Sequence, residues 1–138
     1  FGWIIANERI PQLVSESILL LTVVPLVALL LVNLVLFMVG AVMETLAAIV
    51  IVLPTVLTLG SMLGVDPIHM TMIVVINLTL GLLTPPIGVV LFIVSSVGKE
   101  KLGKVIKEVI PFFIANVVVL FLVVLFPKLT LWLPELFR

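Results

Sequence analysis

The 138 residues are 64% hydrophobic and 10% charged, with a mean hydropathy of +1.55, which excludes an ordinary soluble domain and marks an integral membrane chain. Lysine plus arginine (7) balance aspartate plus glutamate (7), yet Lys99, Lys101, Lys104 and Lys107 fall in one short segment. With no cysteine and His69 as the one histidine, a disulfide, a thiolate metal site and a multi-histidine metal site within this chain are excluded. The few clustered basic residues leave no footprint for nucleic acid, and no serine, histidine and acid grouping suggests an enzyme.

The opening FGWIIANERIPQ has neither an initiator methionine nor a basic region leading into a signal sequence, so the chain is expected to start partway through a larger protein. Residues 1–24 read as the end of a preceding hydrophobic element, a polar break at Asn7 to Arg9, and a connecting helix from Pro11 to Leu21. In that helix Gln12, Ser15 and Glu16 alternate with Leu13, Val14, Ile18 and Leu19, which suits a membrane interface or contact with another subunit. Neither reading gives it chemistry.

Residues 25–64 form a long apolar region divided by GAVMET, Gly40 to Thr45. Its arms, Leu26 to Val39 and Leu46 to Leu59, are about 14 residues or about 21 Å of helix, short against a hydrocarbon core of about 30 Å. Two readings stay open: a re-entrant helical hairpin, or two full crossings with the arms extended to Val23 and Leu63. Glu44 is the carboxylate of this region. At membrane depth it is costly and therefore a functional candidate; between two crossings it sits in a solvated loop. Pro54 is expected to kink the second arm, and Asn33 to hydrogen-bond between helices.

GSMLGVDP, Gly60 to Pro67, is expected to be a loop and then a helix start, with Asp66 as N-cap and Pro67 at the first helical position. His69 is expected to be structural or interfacial rather than a proton carrier, because Asp66 is the one acid near it in sequence. A continuous helix from Asp66 to Gly98 would be roughly 48 Å long, well beyond a bilayer core. Pro85 and Pro86 each lack an amide hydrogen, each pushes the preceding residue out of the α region, and Gly81 and Gly88 flank them. Residues 65–98 are therefore predicted to be a broken transmembrane helix. Backbone freed in lipid must face protein, water or a bound ion, and Asn77, Thr79 and Thr84 add oxygens nearby. A proline-kinked packing helix and an ion or substrate site both fit at this point.

Residues 99–110 are predicted to be an amphipathic helix on the cytoplasmic surface, with Leu102, Val105, Ile106 and Val109 on one face and Lys101, Lys104, Lys107 and Glu108 largely on another. Residues 111–138 then supply the last crossing, with Asn116 inside it, and a C-terminal anchor carrying Trp132 and Phe137. On this orientation the broken helix runs from outside to inside, and the C-terminus lies on the periplasmic side.

Four stretches, FGWIIANERIP, NLVLFMVGAVMETLAAIVIVLPTVLTLGSMLGVDPIH, VVINLTLGLLTPPIGVVLF and PFFIANVVVLFLVVLFPKLTLWLP, together resemble the C-terminal part of the large membrane subunit of a tripartite ATP-independent periplasmic (TRAP) transporter. They keep the family's order and cover nearly the whole chain. The resemblance implies an all-α elevator-type transporter of the bacterial inner membrane, this chain being its second inverted repeat, with a re-entrant hairpin and a broken helix. It also implies sodium-coupled uptake of an organic acid, such as a C4-dicarboxylate or sialic acid. Expected partners are the rest of the large subunit, a separate or fused small membrane subunit, a periplasmic substrate-binding protein and the lipid bilayer.

On that resemblance a Na+ ion is expected between the hairpin tip, Gly40 and Met43, Glu44 and Thr45, and the break, Gly81, Leu83 and Thr84 with Pro85 and Pro86. Backbone carbonyls and the Thr84 or Thr45 hydroxyl would serve a hard cation, with Asn77 and Gly88 in support. Members of the resembled family often carry an aspartate at the position of Glu44, so no ligand role is assigned to it. Two other functions remain compatible with the residues: a sodium-coupled carboxylate transporter without a binding protein, and a membrane scaffold in which the prolines only shape packing.

Overall fold

The computed structural model describes residues 10–22, 24–84 and 88–137, and they form helices throughout. In chain order these are α1 (Ile10–Leu21), α2 (Pro25–Val42), α3 (Thr45–Met62), α4 (Pro67–Gly81), α5 (Val89–Gly98), α6 (Leu102–Leu125) and α7 (Lys128–Leu136). The chain is an all-helical membrane protein: α2, α3 and α6 are each long and apolar enough to cross a bilayer.

The fold is built around α4. It is apolar on all sides, and His69, Met70, Ile73, Val74, Asn77, Leu78, Leu80 and Gly81 are all buried, as a helix surrounded by others requires. Helices α2 and α3 pack on it most extensively, and α6 and α7 cover the rest. Each of these arms buries one stripe at a spacing of four: Ala28, Val32, Leu36 and Gly40 on α2, and Ala48, Val52, Val56 and Gly60 on α3. Such i, i+4 rows form the ridges and grooves by which helices interlock. The opposite face of α2, with Leu26, Leu30, Leu34 and Met38, stays exposed and apolar, as lipid contact favours. Phe37 and Phe113, ring centroids 6.1 Å apart, join α2 to α6.

Polar side chains inside these helices find acceptors one turn back. Thr58 Oγ1 donates to the Pro54 carbonyl at 3.0 Å, Thr71 Oγ1 to Pro67 at 2.8 Å, Thr79 Oγ1 to Val75 at 2.7 Å and Asn116 Nδ2 to Phe112 at 2.9 Å. This removes the cost of carrying them through hydrocarbon.

The boundaries differ from the sequence expectation in four places. Both arms run to 18 residues, about 27 Å of helix, because α2 continues through Gly40 to Val42 and α3 through Gly60 to Met62. Gly60 is helical and buried rather than part of a loop; the turn falls at Gly64, whose φ of +71° suits a residue without a Cβ. At the lysine cluster, α5 ends at Gly98, Lys99 takes a left-handed conformation (φ 51°), and α6 starts at Leu102. The amphipathic segment and the last crossing are one 24-residue helix through Pro111, since a single proline removes one ladder bond and leaves the rest intact. That helix stops at Leu125, and α7 is a separate element carrying Trp132 on an exposed face.

The start of α4 follows the residues closely. Asp66 caps it, accepting from the Ile68 amide at 2.8 Å, and Pro67 occupies the first turn. His69 is buried, and its Nδ1 lies 2.7 Å from Thr130 Oγ1 on α7. Thr130 Oγ1 also lies 2.9 Å from the Pro127 carbonyl, so the hydroxyl joins the ring to the start of α7. Its role is to hold α7 against α4.

Candidate functional site: where the hairpin tip meets the helix break

Three residues beyond Gly81 the α4 ladder tightens and ends. Leu82, Leu83 and Thr84 donate their amides to the carbonyls of Thr79, Leu80 and Gly81 at 3.2, 3.0 and 3.0 Å, the i to i−3 pattern of a closing turn. Thr84 Oγ1 also donates to the Leu80 carbonyl at 3.1 Å. Chain direction is recovered at Gly88, whose φ of +44° places it in the left-handed region, and α5 begins at the next residue. Pro85 and Pro86 lie outside the described residues.

The other half of the site is the tip between α2 and α3. Met43 closes α2 by donating its amide to the Val39 carbonyl at 2.8 Å. Glu44 then caps α3 with both oxygens, accepting from Leu46 N and Ala47 N at 2.9 Å each. Its carboxylate is thus held by the amides that a helix N-terminus exposes.

Tip and break meet through glycine. A Cβ built on Gly81 would fall 2.3 Å from the Gly40 carbonyl carbon and 2.6 Å from its Cα; one on Gly40 would fall 3.1 Å from both Cα and O of Leu78. Only two residues without side chains allow this approach. Above the contact lies a cavity of about 160 Å3 lined by Gly40, Ala41, Val42, Met43, Glu44, Gly81, Leu82, Gly88 and Val89.

Backbone ends and the Glu44 carboxylate set its electrostatics. The C-termini of α2 and α4 both arrive here, and among the described residues no hydrogen bond ends on the carbonyls of Gly40, Ala41, Val42, Leu82 or Leu83. Two negative dipole ends and free carbonyl oxygens suit a hard cation. Two N-termini arrive as well. That of α3 is already occupied by Glu44, whereas that of α5, opening at Gly88, has no side-chain cap among the described residues. An uncapped N-terminus favours an anion.

The structure therefore brings together Gly40, Met43, Glu44, Gly81 and Gly88 of the residues expected from sequence. Leu83 and Thr84 line a neighbouring apolar cavity of about 190 Å3 with Leu91, Ile106, Val109, Ile110 and Phe113. Thr45 is the first residue of α3; its hydroxyl oxygen is buried and has no partner among the described residues. Asn77 sits one turn before Gly81, bonded to Asn33 of α2: its Nδ2 donates to the Asn33 backbone oxygen at 3.0 Å and to Asn33 Oδ1 at 2.7 Å. Ala41, Val42, Leu82 and Val89 join the lining beyond the site residues named from the sequence, because no polar side chain marks them.

A family model described as "Tripartite ATP-independent periplasmic transporter, DctM component" matches residues 1–129. The chain is 41% identical over 137 residues to the sialic acid TRAP transporter large permease protein SiaM of Vibrio cholerae, covering 99% of this chain and 32% of that protein. It is 38% identical over 133 residues to the C4-dicarboxylate TRAP transporter large permease protein DctM of the same species, covering 96% of this chain and 29% of the relative. With the isethionate TRAP transporter permease protein DctMQ of Oleidesulfovibrio alaskensis it shares 37% identity over 132 residues, covering 96% and 21%. The chain thus spans no more than 32% of the length of these three relatives.

Proposed function

The chain belongs to the DctM component family of tripartite ATP-independent periplasmic transporters, and from that premise we propose that it supplies one half of the sodium and substrate site of an importer of organic anions. The observation that carries this reading is the convergence at one cavity of two helix C-termini, whose last carbonyls have no partner among the described residues, with the N-terminus of α5, which none of those residues caps. Sodium belongs at the carbonyls of the tip and the turn after Gly81. The anion belongs at Gly88 and Val89. The relatives are named for sialic acid, C4-dicarboxylates and isethionate, whose shared feature is an acidic group.

In this reading residues 25–64 are a re-entrant hairpin, 65–98 a broken helix, and the two move together as part of an elevator-type transport domain in the inner membrane. The packing of α2 and α3 on α4 supports their moving as one body. With the lysine cluster of residues 99–107 in the cytoplasm, α6 returns the chain to the periplasmic side, its 24 residues being about 36 Å long. Sodium that binds only when tip and break are closed stabilises that state by its differential affinity, and so favours anion binding there. The remainder of the large subunit, a small membrane subunit and a periplasmic binding protein complete the transporter.

The test is uptake into proteoliposomes holding the full-length permease with its small subunit. Uptake of a labelled organic anion is expected to require an inward sodium gradient and the cognate binding protein. Equal uptake with potassium in place of sodium would overturn the sodium assignment, and equal uptake without the binding protein would point to a two-component carrier.

A further inference from the structure

Close contact between Gly40 and Gly81 brings two backbones together but provides no side chain to hold their register. The nearest directional bonds between α2 and α4 are those from Asn77 to Asn33. Asn33 in turn donates its own Nδ2 to the Leu29 carbonyl at 2.8 Å. The three groups form an oriented chain. Asn77 Nδ2 meets two oxygens of Asn33, so turning its amide over would set oxygen against oxygen; Asn33 is fixed likewise by Leu29.

This orientation has an electrostatic consequence. Both amide dipoles point their oxygen ends the same way, and the series terminates in Asn77 Oδ1, which is 1% exposed as a residue and has no partner among the described residues. Aligned amides reinforce one another in a low-dielectric interior. Asn77 stands one helical turn before Gly81 on α4, so the paired amides brace the hairpin arm one turn from the place where tip and break meet.

We propose that Asn33 is a positioning residue for the tip-and-break site: through Asn77 it fixes the register of the hairpin arm on the broken helix, and so the spacing of the carbonyls that face the cation. The ion it acts on rests on the sodium reading above; the register does not.

Valine and threonine at position 33 separate this role from packing, since they have the same shape and both keep the main-chain acceptor for Asn77, but only threonine adds a side-chain acceptor and can donate one turn back, as Thr58, Thr71 and Thr79 do in this fold. In the full-length permease with its small subunit, N33V is expected to raise the half-saturating sodium concentration for uptake about five- to tenfold, with N33T close to wild type. A second readout is disulfide formation in native membranes between cysteines at Met43 and Leu82, which line the same cavity. Its rate should fall in M43C/L82C/N33V and recover in M43C/L82C/N33T. A merely structural role would lower the maximal rate of uptake and leave the sodium dependence unchanged. Sodium dependence and cross-linking of N33V matching those of N33T would overturn the proposal. Wild-type uptake that ignores sodium would sink the sodium reading instead, and the cross-linking arm alone would then decide the register role. Should N33V not accumulate, N33A and N33S repeat the comparison with smaller side chains.

Discussion

Gly81 rests on Gly40 with no room for a methyl group: a Cβ on Gly81 would stand 2.3 Å from the carbonyl carbon of Gly40, and the obstruction is main chain. Main chain cannot rotate away as a side chain can, so the two helices must separate to admit it. G81A is expected to cost the full-length permease about 3 kcal/mol and to abolish uptake, whereas G40A, with 3.1 Å to Leu78, costs nearer about 1 kcal/mol. G60A is a control, since its added methyl meets the flexible side chain of Met70 at 3.1 Å. Thermal unfolding of the purified variants gives the order, and G81A melting with G60A would refute the close contact.

Glu44 holds the first turn of α3 by two amide bonds, so its charge matters less than its geometry. E44D keeps a favoured cap and is expected to retain uptake and melting temperature. E44Q keeps one acceptor and should fall between, and E44A should be lowest in both. If E44A transports as well as wild type, the cap is dispensable and the tip is held by α2 and α4 alone.

A buried hydroxyl without a partner is a cost unless a ligand uses it, and Thr45 Oγ1 has none among the described residues. T45V keeps the shape and removes the oxygen. Without sodium it is expected to be as stable as wild type or about 1 kcal/mol more so, while in sodium its gain on ion addition should shrink. Melting curves with and without sodium read both effects. Identical sodium stabilisation in wild type and T45V would remove Thr45 from the site.

The bond between His69 and Thr130 is expected to hold α7, a helix with no buried residue of its own. T130V leaves the buried His69 Nδ1 without its hydrogen-bond partner, which costs about 1–3 kcal/mol. T130S restores the bond. Hydrogen exchange should therefore speed up across α7 in T130V and stay near wild type in T130S, with α2 and α3 little changed. Uniform exchange across all three proteins would show that apolar contact suffices.

Much of the fold was legible because hydrocarbon imposes simple rules on a chain. Long apolar runs had to be helices, the Asp66–Pro67 pair had to start one, and Gly81 to Gly88 had to interrupt one. Less legible were the places where a local rule yields to the bilayer. Gly40, Gly60 and Pro111 read as breakers, yet each lies within a helix, because in an apolar environment a helix that satisfies its backbone outweighs a propensity cost of about 1 to 3 kcal/mol. Thr84 was expected beside the ion because it carries a hydroxyl. It lines the cavity beside α6 and its hydroxyl donates to Leu80, while its carbonyl oxygen stays near Gly88, 3.4 Å from where a Cβ there would stand.

By itself the sequence determined that this is a helical membrane protein with one interrupted helix, and its four matching stretches pointed to the family. It also singled out the tip and the break as partners. Tertiary structure alone decided how they meet: through two glycines in backbone contact, with Asn33 reaching Asn77 one turn away and the exposed Glu44 folded back to cap α3. The reason is physical. Helix formation in lipid depends on neighbours along the chain, which a sequence displays. The site is made of carbonyls and helix ends brought together across more than one element, and no side chain announces where a main-chain oxygen will point.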